Sequence, residues 1–224
     1  MNALNRVRRN AFYYAIFAPA FVVIMFLTIY PVLSVLANSL FDYNFLSANR
    51  RWIGLENFVT IIGESIFQRA FLNTVIFSLS ATAVEASLGL VLALLFYGRF
   101  PGKRAAMTTV IFPMMLSTMV ICAIWKTMYH HDIGVLNYLL ESLGLGRVGW
   151  LTNKQVALVS VMIVDVWQWT PFAFILLQAG LNAIPPELFE AASIDGAGYV
   201  RTVTHVTIPI LFNQILMVFL LRTI

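Results

Sequence analysis

Charge is what this sequence has least of. Only 11% of its 224 residues are Asp, Glu, Lys or Arg, while 60% are hydrophobic. A soluble domain carries about 25% charged and about 45–50% apolar residues, so an ordinary soluble globular enzyme is excluded. A disordered chain is excluded too, because it needs low hydrophobicity and high net charge. The single cysteine, Cys122, cannot form an intrachain disulfide and has no Cys or His neighbour at metal-ligand spacing. No G-x-x-x-x-G-K-[ST] phosphate loop is present; the nearest glycine cluster, Gly144-Leu145-Gly146, lacks the lysine. Nor does any serine, cysteine or histidine constellation support nucleophilic catalysis. The formal net charge of +4 lies largely in two short clusters, Arg6/Arg8/Arg9 and Arg99/Lys103/Arg104, each beside an apolar run. That distribution marks membrane topology rather than a nucleic-acid footprint.

What the sequence has in plenty is long apolar blocks. A helix needs about 20 apolar residues to cross about 30 Å of hydrocarbon. Blocks at about 11–37, 71–97, 105–125, 156–180 and 208–224 are predicted to span. The first begins like a signal peptide, with Ala18-Pro19-Ala20 as a small-residue cleavage site, but its apolar run continues well beyond Ala20. It is read as an uncleaved span, with Pro19 and Pro31 as kinks or ends. The fifth block, 17 residues with Asn213, Gln214 and Arg222 inside it, is barely a crossing at about 1.5 Å per residue, and a truncated span is expected. Lysine and arginine density orients the whole. Three lie before Ala11 and three in the short 98–105 link, against three in each of the long links 38–70 and 126–155. The dense flanks belong inside, which puts the N-terminus in the cytoplasm.

Each long outer link is predicted to hold local structure: a turn and short helix at Trp52-Ile53-Gly54-Leu55-Glu56-Asn57-Phe58, and a short amphipathic helix over 134–144 ended by glycine. His130-His131-Asp132 lacks a third or fourth ligand nearby, so a metal site is not expected.

Charges at membrane depth are costly and face a protein interior or a watery cavity. Two acids fall near mid-span, Glu85 and Asp165. Asp165, Gln168, Trp169 and Phe172 follow helical spacing and offer carboxylate, amide and aromatic faces on one stripe. Sugar hydroxyls need hydrogen bonds and sugar C–H faces stack on rings, so this stripe is the candidate substrate pathway. The competing reading is that it packs against other spans. Pro171 adds an expected kink. Glu85 shares a face with Ser78, Thr82 and Gly89, a small polar stripe that favours packing or gating over solute contact.

The segment 184–209 is no plain loop. Pro185-Pro186-Glu187 supplies proline at a helix start, with Glu187 and Glu190 in the first turn where the helix dipole favours acids. A short helix through Glu190-Ala191-Ala192-Ser193 is interrupted at the turn pair Asp195-Gly196, and a second short helix over about 198–207 is expected to be ended by Pro209. Glu190-Ala191-Ala192, then Gly196, then Val206-Thr207-Ile208-Pro209 resembles the EAA signature of ABC importer permeases, with Val206 and Ile208 replacing the usual isoleucine and leucine. The run 181–189, the Ile194-Asp195-Gly196-Ala197 run and Trp52–Phe58 are similar to the sugar-importer branch related to maltose and glycerol-phosphate permeases.

The resemblance implies an all-α polytopic bundle of the type I importer kind, forming one transmembrane permease domain over 1–224 in the inner membrane. It also implies a division of labour. A second, related permease subunit completes the pathway, cytoplasmic ATPase subunits bind ATP and magnesium, and an extracytoplasmic binding protein delivers the solute. This chain then needs no cofactor of its own and is not an enzyme. By the resemblance Glu187, Glu190, Ala191, Ala192, Asp195, Gly196 and Pro209 form the ATPase-coupling element, with Glu190 in polar contact, the alanines permitting close packing and Gly196 making the turn. Another solute class (amino acid, phosphate, peptide) stays open, as does a stand-alone channel or secondary transporter, although no filter-like loop or pair of broken helices in matching halves is visible.

Overall fold

The structure, a computed structural model, describes residues 3–43 and 50–223, with side chains from Tyr13 onward except that of Tyr43. The N-terminal arginine side chains and Ile224, the end of the expected fifth span, therefore lie outside the described residues. The chain divides into two compact units, 1–71 and 72–224.

In the first unit, α1 (Ala3–Ser39) runs unbroken through Pro19 and Pro31, so neither proline ends it. A feature the sequence pattern did not announce follows. β1 (Phe41–Tyr43) and β2 (Arg50–Trp52) pair antiparallel, with Phe41 opposite Trp52. The pair is held by side chains: the Phe41 and Trp52 rings meet edge to face at 4.9 Å, and the Arg50 guanidinium lies 3.9 Å over Phe41. α2 (Glu56–Gly63) is pinned to the same corner by Asn57, whose amide donates to the carbonyls of Ser39 and Phe41 at 2.9 and 3.2 Å. From there α3 (Ser65–Leu95) leads into the second unit.

Helices are the one regular structure among the described residues of the second unit. α3 and α7 (Lys154–Asn182) are both long and apolar enough to cross a membrane. α7 stays continuous through Pro171. The two helices approach closely where small residues meet. A Cβ on Gly89 would stand 2.7 Å from that of Ala173, so only glycine lets the backbones come this near. Around this contact Ala93, Phe174, Leu177, Leu211 and Val218 are almost fully buried and form the core.

The third expected span, 105–125, is built of two helices instead of one. α4 (Lys103–Met115) and α5 (Thr118–Met128) meet at a 94° bend. Leu116 and Ser117 take extended backbone there, just after Pro113, which has no N–H to give to the preceding turn. In the link between α5 and α7, α6 (Val135–Ser142) ends at Gly144, whose φ of 75° a residue with a Cβ would resist. Asn137 organises this link from the inside. Its amide donates to His131 and Val148 carbonyls, and its oxygen accepts from the Val148 N–H and the Trp150 indole, each at 3.0 to 3.1 Å.

After α7 come α8 (Pro186–Ile194), α9 (Tyr199–Thr202), a π-helical turn (Val203–Thr207), α10 (Ile208–Ile210) and α11 (Phe212–Thr223). Pro209 does not end the helix before it, contrary to the sequence expectation. The Ile208 N–H reaches back five residues to the Val203 carbonyl, and the 62° bend comes only at Leu211. The cause is the widened turn, which eases the clash between the proline ring and the carbonyl of the preceding turn, so the chain stays helical through the proline.

Candidate functional site: an intramembrane charge cluster and a helical elbow

Glu85 lies on the buried stripe of α3 with Thr82, Ala86 and Gly89, and no part of its side chain is exposed. A carboxylate so placed needs a counter-charge. Arg222, in the last turn of α11, supplies it, with Nε donating to Oε2 at 2.7 Å and Nη2 to Oε1 at 2.8 Å. Nη2 also donates to Asp165 Oδ2 of α7 at 2.8 Å. The guanidinium carbon lies 4.7 Å over the Trp169 ring, one turn on from Asp165. One arginine thus ties three helices together, using both its planar fork and its face.

The predicted pathway stripe is only partly one surface. Asp165 and Trp169 both turn to Arg222, and Phe172 stands edge-on to Trp169 at 6.4 Å. Gln168 is buried and looks elsewhere, its amide 3.3 Å from the Thr118 hydroxyl at the start of α5. A cavity of about 660 Å³ lies beside the cluster, between α3, α4 and α7. Its lining is mostly apolar, with Leu88, Val110, Met162, Val166 and Trp167 on it and Thr109 and Thr170 as its polar members, so it offers few of the hydrogen bonds a sugar requires.

The elbow forms at the far end of α7. Pro185 precedes α8 and Pro186 opens it, where its missing N–H costs nothing. The helix closes in a Schellman turn. The Ala197 N–H bonds the Ala192 carbonyl at 2.9 Å, the Gly196 N–H bonds that of Ser193 at 3.1 Å, and Gly196 sits at φ 72°. Glu187, Glu190, Ala191, Asp195, Gly196 and Pro209 are exposed, as are the apolar Ile194, Tyr199 and Val200 near the turn, whereas Ala192 points inward.

Two residues with no role read from the sequence complete these sites. Arg222 was visible only as a charge in a marginal span; two acids in other spans with no cation to match were the signal for it. Phe189, between Glu187 and Glu190, faces the core and meets Tyr97, just beyond the C-terminal end of α3, at 5.6 Å. The sign was an apolar residue three before the inward Ala192.

Residues 85–224 match the family described as binding-protein-dependent transport system inner membrane component. Over 212 residues the chain is 34% identical to the trehalose/maltose transport system permease protein MalF of Thermococcus litoralis, covering 94% of this chain and 72% of that protein. It is 30% identical over 218 residues to the maltodextrin transport system permease protein MdxF of Bacillus subtilis, covering 90% of this chain and half (50%) of that one. Among solved structures, a chain of a bacterial ABC transporter involved in the import of the acidic polysaccharide alginate superposes with a TM-score of 0.83 at 24% identity. The match takes in 98% of this chain and 74% of that one, and it shows the all-α fold of a type I importer permease. The chain accordingly belongs to the binding-protein-dependent inner membrane components, the permease subunits of ABC importers.

Proposed function

We propose that this chain carries a sugar or sugar-like solute across the inner membrane, with its N-terminus in the cytoplasm, as one of two permease subunits. The partners are a related second permease, cytoplasmic ATPase subunits and an extracytoplasmic binding protein. The ATP and magnesium belong to the ATPase subunits, and this chain itself catalyses no reaction. What supports a sugar is the company the chain keeps: its relatives include permeases named for trehalose/maltose and maltodextrin transport.

The observation that carries the coupling role is the elbow. Glu187, Glu190, Ala191 and Asp195 are presented outward on a short helix whose end is fixed by Gly196. An ATPase surface closing on α8 would push through Phe189 onto Tyr97, and so onto α3. Alternating access then follows. ATP-driven closure moves the elbow and opens the pathway outward, and hydrolysis resets it. Asp165, Gln168, Trp169 and Phe172 are the solute-facing candidates, with Glu85 as a packing or gating residue.

The test is a purified importer carrying Gly196→Trp. ATPase co-purification and uptake are both expected to fall; their joint survival would refute the coupling role. Uptake unchanged in Trp169→Ala would remove that residue from the pathway. Binding of the partner protein to a panel of sugars, amino acids, phosphate and peptides decides the solute class. A chain that purifies with no ATPase at all would instead be a channel or an ion-coupled transporter.

A further inference from the structure

Arg222 holds its two carboxylates unequally. Glu85 receives two bonds and is fully enclosed, whereas Asp165 receives one and keeps 22% of its side chain exposed. The arginine also covers Trp169 at 4.7 Å. The groups it engages on α7 are therefore a carboxylate and an aromatic face, the same pair that a polyhydroxylated solute would seek.

We propose that Arg222 is an internal competitor of the solute. While the pathway is empty it occupies Asp165 and Trp169, and an arriving solute displaces it from both, leaving it anchored on Glu85. Displacement removes the polar tie between the end of α11 and α7 but keeps the one to α3, so solute arrival and release of that end become one event. This rests on the pathway reading above. The direction of release follows from the bonding: a bidentate, fully buried pair outlasts a single bond at a partly exposed oxygen.

The experiment measures ATP hydrolysis by the assembled importer in lipid vesicles, without binding protein or solute. Asp165→Asn weakens the hold on Arg222 by removing the charge. Arg222→Lys keeps a cation for Glu85 but gives up the fork and the flat face. Both are expected to raise basal hydrolysis about fivefold, because the released arrangement becomes populated without solute. Basal rates within about twofold of the unsubstituted importer, with the ATPase still bound, overturn the proposal while leaving the permease reading intact. An ATPase that fails to bind the unsubstituted permease overturns the permease reading instead. A second measurement needs no variant. Adding binding protein charged with the solute it selects from the panel above is expected to speed deuterium uptake in peptides 165–172 and 212–223. Equal uptake with charged and with solute-free binding protein overturns the latch.

Discussion

At Glu85 both carboxylate oxygens rest on Arg222, and neither helix could present its charge to the interior alone. Removing one partner strands the other, which costs about 3–5 kcal/mol for a buried pair, whereas replacing both with apolar residues of similar size is often neutral. Arg222→Ala is therefore expected to lower the thermal midpoint of the purified subunit sharply. The triple variant Glu85→Leu, Asp165→Asn, Arg222→Met, which leaves neither acid charged and unpaired, should recover most of that loss; a triple variant no more stable than the single one would contradict the pairing. The acids were legible one at a time, because a charge inside an apolar run stands out. Their shared partner was not, because it lies 137 residues from one and 57 from the other.

Elements bend here where local chemistry leaves a backbone group without a partner. α4 and α5 separate just beyond Pro113, and the π turn precedes Pro209. Proline is visible in any sequence, but whether it ends, kinks or passes through a helix depends on what turn the neighbouring helices accept. Pro19, Pro31 and Pro171 are passed without a break. The link between α5 and α7 is fixed by polar contacts. Asp132 is held below the usual carboxylate range first by the hydrogen bond with His131, and Glu141 by the one from Arg147. An acid whose folded pKa is depressed adds stability that is full above the unfolded value and is lost as pH falls through the folded one. Deuterium uptake over 131–148, corrected for its intrinsic pH dependence, should therefore rise below about pH 4. Asn137→Leu, which strips four bonds from a buried side chain, should raise it at neutral pH already. Protection unchanged by either treatment would show that apolar contacts hold the link.

For the whole molecule the question is how movement at one end reaches the other. The aromatic chain Phe100–Phe96–Phe174, with Phe189 on Tyr97, joins the segment just after α3 to α7 and α8. Rigid packed side chains of this kind pass on a displacement that loose ones absorb. Phe189→Ala should leave the exposed face of α8 intact, so the ATPase is expected to co-purify at its usual amount while uptake drops at least about tenfold. Full uptake would mean that the movement takes another route.

The sequence by itself determined the membrane class, the number and rough position of the apolar blocks, and the elbow around Gly196. These depend on composition, on helical periodicity and on one backbone position that needs a positive φ, all of them local. It held no sign of the β1–β2 pair, of the Asn137 hub, or of the way Gln168 turns aside from Asp165 and Trp169. Spacing along α7 puts those three on one side of a helix, but only the neighbouring helices decide which side chain meets which partner. Tertiary structure alone brought Arg222 to Glu85 and Asp165. The reason is physical: a charge in an apolar interior must be paired, and the pair forms wherever helix packing brings a counter-charge within reach, at whatever separation along the chain.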